Sequence, residues 1–430
     1  MNRRLKVTEQ LETERLYALF EKYPTVVTDS RRAGDGTLFF ALRGDRYDGN
    51  RFALAALDAG AACAVVDDPA VAAQAGAAYA GRLVAVDDAL AALQALAREH
   101  RRRLGIPLLA IVGSNGKTTT KELVSRVLAE KYTIYATQGN LNNHIGVPLT
   151  LLAMTRDTEL GVVEMGASAC GEIALLCAIA EPNFGLITNV GRAHLEGFGG
   201  VEGVRRGKGE LYDYLAASGG RAFVRRDDAT LVKMAAERGN LAVELYDAAI
   251  ADGVEHHLEG AFNRLNVAAA MAVGRYFGVD EERIRDAVAT YRPDNNRSQR
   301  QQTARNTLVV DCYNANPSSM QASLTNFLGE AFAGGKVAVL GDMLELGAWS
   351  EAEHRAAIEQ ALSGDVEQLW LVGAEFSAAW RATGHSDRRV RLFCSCDEAA
   401  AALSVSPFAG KLVLLKGSHG IGLERLVGLF

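Results

Sequence analysis

A five-residue apolar run, Leu108–Val112, passes directly into Gly113-Ser-Asn-Gly-Lys-Thr-Thr-Thr120. Apolar text closed by glycine and followed by lysine and threonines reads as a buried strand, a tight turn and a helix start. A strand that feeds a helix in this way belongs in parallel α/β layers, since parallel strands need a crossover between them. Successive backbone N–H groups of Gly113, Ser114, Asn115, Gly116 and Lys117 can cradle phosphate oxygens at the positive end of that helix. Lys117 is spaced to reach the β- and γ-phosphates, and the Thr118 hydroxyl, with Thr119 beside it, to coordinate Mg²⁺. Ile111 stands where the longer G-x-x-x-x-G-K-[ST] pattern has its first glycine, so the loop is the shorter G-x-x-G-K-T form. A chance glycine–lysine turn would need neither the strand nor the three threonines. A nucleoside triphosphate site uses them all.

The rest of the chain repeats the same alternation of short apolar runs and Ala-rich helical text. Before the loop the runs are Leu38–Leu42, Ala62–Val66 and Leu83–Val86. A helix over 89–103 then ends at Gly105-Ile-Pro107, which sets the first boundary. The Arg101–Arg103 cluster reads as a solvated helix end. After the loop come Gly161–Glu164 and Phe184–Asn189, followed by a helical tail to about Arg292. The polar stretch 293–303 is the second boundary. Beyond it lie Leu308–Val310, Val337–Leu340, Leu369–Val372 and Leu412–Leu415. The expected fold is therefore α/β in three domains. Residues 1–105 form a small N-terminal α/β unit, 106–293 a central P-loop-type ATPase domain with a parallel-rich sheet, and 294–430 a doubly wound, Rossmann-like domain.

A chain of 430 residues fits such a count. Its net charge of −6 argues against binding nucleic acid through a general basic field. The charged N-terminus does not read as a signal peptide, and the longest apolar stretch, 52–66, is interrupted by Asp58 and Gly60 and is too short to span a bilayer. No membrane insertion is expected. The 6 cysteines lack metal spacing and read as free thiols of the cytoplasm.

Polar residues cluster just past the carboxyl ends of these runs, where open α/β sheets bind ligands. Glu164 ends an apolar strand, where a carboxylate needs a cation to offset its desolvation. His194 follows another strand end and is either structural or a ligand to a second metal. Lys208, in Arg205-Arg-Gly-Lys-Gly-Glu210, reads by itself as a surface lysine.

Together these segments resemble the Mur ligase family over essentially the whole chain. The loop 113–119 matches the family's ATP loop, and Gly139-Asn-Leu-Asn-Asn-His-Ile-Gly-Val-Pro148, with Asn140 and Asn143, a segment lining the nucleotide and acceptor cleft. Glu164-Met-Gly-Ala167 and Thr188-Asn-Val-Gly-Arg-Ala-His194 match two metal-ligand segments. The resemblance makes Lys208 a lysine that becomes carbamylated, which turns a cation into an anion able to hold Mg²⁺. Phe262-Asn-Arg-Leu-Asn266 resembles an H-N-x-x-N segment near the adenine, with phenylalanine in place of histidine and with Asn263 and Asn266 retained. Asn295-Asn-Arg297 resembles a segment whose arginine reaches the nucleotide on closure. His354 receives no role.

Asp311-Cys-Tyr-Asn-Ala-Asn-Pro317 is the most specific segment. Its D-x-Y-N-A-N-P form resembles that of the family members that add D-alanyl-D-alanine and argues against a third-residue-adding or folylpolyglutamate-type ligase. Ser30 and Arg31, in Thr28-Asp-Ser-Arg31, resemble part of a UDP-substrate domain. Tyr313, Asn314, Asn316, Lys416 and Ser418 become candidate contacts to the dipeptide. The resemblance implies that ATP, two Mg²⁺ ions and a carbamylated Lys208 activate the carboxylate of a UDP-muramoyl tripeptide as an acyl phosphate. The amine of D-alanyl-D-alanine would then attack it. Lys117, Glu164, His194 and Lys208 carry that chemistry, with Asp311 and Arg297 completing the ATP site from the third domain, and a monomer is expected. A P-loop ATPase or kinase would leave Lys208 without a role.

Overall fold

The computed structural model describes residues 3–45, 47–74, 76–260, 262–293 and 299–430. Arg297, the arginine expected to reach the nucleotide, lies outside them.

Three parallel-rich sheets follow one another along the chain. The N-terminal sheet pairs Thr25–Val27, Thr37–Phe40, Cys63–Val66 and Leu83–Ala85, all parallel. A helix, Arg3–Lys22, precedes it, and Leu16, Tyr17 and Phe20 of that helix are buried. The central sheet has the spatial order Ala242–Tyr246, Arg221–Arg225, Phe184–Ile187, Leu108–Val112, Leu160–Glu164, Ile134–Ala136, again all parallel. Every side chain of Leu108–Val112 is buried, as a strand covered by helices on both faces requires. The chain winds one way from this strand and later the other, so the sheet reverses between Leu108–Val112 and Phe184–Ile187. The carboxyl ends of that pair form the crevice in which such sheets bind ligands.

Here the expected helical tail is corrected. Residues 190–292 contain two further strands, Arg221–Arg225 and Ala242–Tyr246. Polar residues at both ends of the first, and the partly exposed text of the second at the sheet's edge, hide them from an apolar-run criterion.

The third sheet orders Gln299–Gln302, Thr307–Asp311, Leu412–Lys416, Lys336–Gly341, Val366–Val372 and Val390–Phe393. Gln299–Gln302 alone is antiparallel. It lies within the polar stretch read as a linker, and its alternating burial is that of an edge strand.

The Arg101–Arg103 reading is also corrected. Arg101 is 7% exposed and donates to Ala180 O (3.0 Å), Glu181 O (3.1 Å) and Asn183 Oδ1 (2.8 Å), while Arg102 pairs with Glu181. These arginines fasten the N-terminal unit to the central one. Among the described residues no helix is long and apolar enough to cross a membrane.

Candidate active site

The phosphate loop is shaped by two glycines. Gly113 has φ 150°, and a Cβ there would lie 1.9 Å from Thr188 Oγ1. Gly116 has φ 77°, and its Cβ would meet Asn266 Oδ1 at 2.6 Å. Neither place admits a side chain. Thr188 Oγ1 donates to Asn115 O (2.6 Å), and Asn189 takes Asn115 N–H (3.1 Å) while donating to Asn115 O (3.0 Å). Ser114 Oγ and the Gly191 backbone exchange hydrogen bonds. The turn is thus held from the neighbouring strand. Gly116 caps the helix Lys117–Leu128 with no side-chain acceptor, which leaves the first-turn N–H groups for an anion. The Lys117 ammonium bonds Gly113 O (2.8 Å) across the loop.

The loop opens into a cleft of about 730 Å³ between the central and C-terminal sheets. Of the expected residues, Ser114, Asn115, Gly116, Lys117, Thr119, Asn140, Asn143, Glu164, His194 and Asn266 line it from the central side, and Asp311, Tyr313, Asn314 and Lys416 from the other. Gly113, Thr118, Lys208, Asn263, Asn316 and Ser418 are not part of its lining, and Ser30 and Arg31 lie in a short 3-10 helix of the N-terminal unit and do not line it either. Arg31 is engaged with Asp29.

Glu164 is 1% exposed. One carboxylate oxygen accepts from Asn142 Nδ2 (2.7 Å), and the other, Oε2, is buried with no hydrogen-bond partner among the described residues. A buried carboxylate oxygen left unpaired is costly, and a cation is the natural partner for it. Asn142 was missed from sequence, where Asn140 and Asn143 were preferred from the same segment. Asn143 accepts from Ile145 and Gly146 N–H at the start of helix Gly146–Leu152.

Lys208 is corrected from a surface lysine to one 1% exposed. Helix Val201–Ser218 carries it under the cleft, where its ammonium donates to Ala167 O (3.0 Å) and lies 4.9 Å from the Phe198 ring centre. Burial, and then the nearby Lys117 charge, pull its pKa down to about 7 against the opposing pull of Glu172 and Glu210. Asn263 and Asn266 form a buried relay behind the loop: Asn266 Nδ2 donates to Asn263 Oδ1 (2.7 Å) and Thr120 Oγ1 donates to Asn266 Oδ1 (3.1 Å).

The far wall is equally ordered. Asp311 and Lys416 end adjacent strands and form an ion pair of 2.8 Å, and Ser323 Oγ donates to Asp311 (2.7 Å). The Lys416 ammonium, 1% exposed, also donates to Asn314 O (3.0 Å). Ser418 Oγ accepts from Leu344 N–H. Tyr313 stacks on His419 at 5.8 Å. Asn316 caps helix Pro317–Gly329 in a capping box with Ser319. It also reaches across the cleft: Asn316 Nδ2 donates to Asn115 Oδ1 (2.7 Å) and Asn115 Nδ2 to Asn316 Oδ1 (3.3 Å). Arg192 pairs with Glu353 (2.8 Å), and His194 Nδ1 with the Glu345 carboxylate. That contact holds the Glu345 carboxyl below its ordinary range. Among the described residues no group of three or more His, Cys, Asp or Glu side chains gathers as a preformed metal centre.

Three successive parts of the chain match family models: residues 22–101 the Mur ligase family catalytic domain, 111–255 the Mur ligase middle domain, and 296–419 the Mur ligase glutamate ligase domain. The chain belongs to the Mur ligase family, and it is an ATP-dependent carbon–nitrogen ligase. Among its relatives is the UDP-N-acetylmuramoyl-tripeptide–D-alanyl-D-alanine ligase of Bacillus subtilis, 32% identical, with 94% of this chain and 92% of the relative covered. The enzyme of the same name from Escherichia coli is 32% identical, with 94% and 92% covered. Crystal structures of MurF from Acinetobacter baumannii (TM-score 0.81, 28% identity, 94% of this chain and 92% of that one) and of MurF from Thermotoga maritima in complex with ADP (0.79, 27%, 94% and 96%) share its fold.

Proposed function

We propose that this chain joins D-alanyl-D-alanine to a UDP-N-acetylmuramoyl tripeptide at the expense of ATP, in the cytoplasm, as a step of peptidoglycan precursor synthesis. One observation carries the reading. A single cleft has the phosphate loop and Glu164 on one wall and Asp311, Tyr313 and Asn314 of the D-x-Y-N-A-N-P segment on the other. Relatives named for this reaction match the chain nearly end to end.

In the proposed reaction the tripeptide carboxylate attacks the γ-phosphorus of ATP, ADP leaves, and the dipeptide amine displaces phosphate from the acyl phosphate. Both partners of the first step are anions, so its barrier is chiefly one of charge and alignment. The Ser114 and Asn115 N–H groups of the expected cradle are taken by Asn189, so the N–H groups at Gly116 and the first turn of helix Lys117–Leu128, with the Lys117 ammonium, hold the triphosphate. Asn263 and Asn266 brace the loop from behind. Mg²⁺, held by Thr118, Glu164, His194 and a Lys208 carbamate, would neutralise charge between carboxylate and phosphate. The unpaired Glu164 Oε2 suits such an ion. Lys208 suits carbamylation because burial keeps a large share of its amine neutral near pH 7, and the neutral amine is the form that adds CO₂.

Residues 1–105 would hold the UDP end through Ser30 and Arg31, 106–293 the ATP, and 294–430 the dipeptide through Tyr313, Asn314 and Asn316. Lys416 and Ser418 would act behind these by fixing the loop that carries them. Closure of the third unit would keep water from the acyl phosphate.

The test is phosphate release from ATP with the UDP-muramoyl tripeptide, run with D-alanyl-D-alanine and separately with single amino acids. Turnover with the dipeptide alone is expected. Turnover with a single amino acid and not the dipeptide would move the chain to a sister activity.

A further inference from the structure

Among the described residues only three other than glycine have left-handed backbone: Glu181 (φ 47°), His194 (φ 51°) and Glu345 (φ 62°). That conformation is strained for a side-chain-bearing residue and persists where its surroundings impose it. Two of the three meet. His194, at the start of the short helix Leu195–Phe198, bonds through Nδ1 to the Glu345 carboxylate, and Glu196 N–H donates to Glu345 O (3.4 Å). One comes from the central unit and the other from the C-terminal unit, 151 residues later.

The segment that brings Glu345 is fixed on both sides. His354 is 0% exposed, donates from Nδ1 to Ser350 O (2.7 Å) and accepts Met343 N–H at Nε2 (3.0 Å). Leu344 N–H goes to Ser418 Oγ (3.1 Å). Gly347 lies so close that a Cβ there would be 3.1 Å from the Glu196 side chain. The Glu345 side chain itself is more than half exposed, so its carboxylate is held at His194 by the fixed backbone of this segment rather than by burial.

We infer that Glu345 is a positioning residue for the ligase reaction, delivered by the C-terminal unit to orient the His194 imidazole across the cleft. An ionised carboxylate only accepts, so the imidazole donates from Nδ1 and carries its lone pair on Nε2. Carboxylates that hold a ring N–H in this way fix the tautomer and ring orientation of a ligating histidine. His194 would then present a competent nitrogen to a cation at the phosphate site. The inference rests on the reading of His194 under the proposed function. It also gives His354 a task, as the anchor of the segment that carries Glu345.

Two measurements separate the inference from that reading. The first uses the protein without substrates, ¹⁵N-labelled at histidine, with the His194 signals assigned by their loss in His194→Gln. The parent should show the Nδ1–H tautomer at His194, and Glu345→Ala should shift it toward Nε2–H. An unchanged tautomer in Glu345→Ala would overturn the inference, whatever the enzyme does. The second is phosphate release against Mg²⁺ concentration. Glu345→Ala should lose about 10-fold or more in kcat and need more Mg²⁺ for half-maximal rate, with KM for the UDP-tripeptide unchanged. Glu345→Gln, whose amide oxygen still accepts from Nδ1, should recover much of that loss. Equal kcat and Mg²⁺ dependence in parent and Glu345→Ala would overturn it as well. A parent protein that releases no phosphate would instead remove the functional reading and leave the tautomer result standing.

Discussion

Apolar packing runs from the central unit into both neighbours, but around the cleft the second contact turns polar where the first does not. Toward the N-terminal unit, helix Ala89–Leu104 lays Leu93, Leu96 and Ala97 against helices Gly146–Leu152 and Glu172–Ala180 in one continuous apolar cluster. Two polar groups there are buried and paired. His100 donates to Met154 O (2.9 Å) and accepts from the Tyr17 hydroxyl (3.2 Å), and Arg101 serves three acceptors. Toward the C-terminal unit the described contacts around the cleft are largely polar and partly exposed: Asn115 with Asn316, Arg192 with Glu353, His194 with Glu345, and Arg300 with Glu259 (2.8 Å). Apolar burial is lost on separation, whereas exposed polar pairs exchange for water at little cost. By this measure the first contact resists separation more than the second. The proposed closure would use the second.

The largest break in that contrast is expected at Lys208. Lys208→Ala should lower kcat at least about 100-fold, with partial recovery in added acetate or formate, measured by phosphate release. Full activity in this variant would remove the carbamate. Its pH signature has a definite sign. Lys208 titrates near 7 in the folded chain and near 10.5 when unfolded, so the unfolded state binds more protons between these values. Burying the charged form is therefore a penalty that is full below about pH 7 and is relieved as pH rises across that window, so stability rises with pH there. Lys208→Met should flatten the rise, read by denaturant unfolding at a series of pH values.

Next in size, Leu96→Ala on the permanent side should cost about 2–5 kcal/mol of stability while leaving KM for ATP unchanged. A comparable loss of affinity would mean that the N-terminal contact also takes part in closure. Asn316→Ser should do the reverse. Serine keeps the helix cap but is too short for Asn115, so stability should change by less than about 1 kcal/mol while kcat falls several-fold. The smallest effect is expected from Glu353→Gln, about 1 kcal/mol or less in coupling to Arg192 and fading further with salt.

What the sequence made legible follows the same division. The all-apolar strands and the loop at 113–119 could be read because their residue types are dictated locally, by burial on both faces and by a turn that admits no side chain at Gly113 and Gly116. The strands Gln299–Gln302 and Ala242–Tyr246 could not, since edge positions carry polar text. Arg101 looked like a solvated cation because its acceptors, Ala180, Glu181 and Asn183, lie some eighty residues away. Asn142 and Glu345 escaped for a similar reason: what distinguishes each is a partner, Glu164 or His194, that only the folded chain supplies. Lys208 shows the limit most sharply. Charged residues, Arg206 and Glu210, stand two places away on either side, yet helix periodicity turns it inward beneath the cleft.

One further consequence lies in the clasp between Asn115 and Asn316. Each amide gives a hydrogen and takes one, and neither carries charge, so dissolved ions have little hold on it. As ionic strength rises, the Arg192 and Arg300 pairs should slacken first while the amides stay joined. The C-terminal unit would then be held chiefly by such neutral bonds, and the strongest of them sits on the very loop that grips the nucleotide.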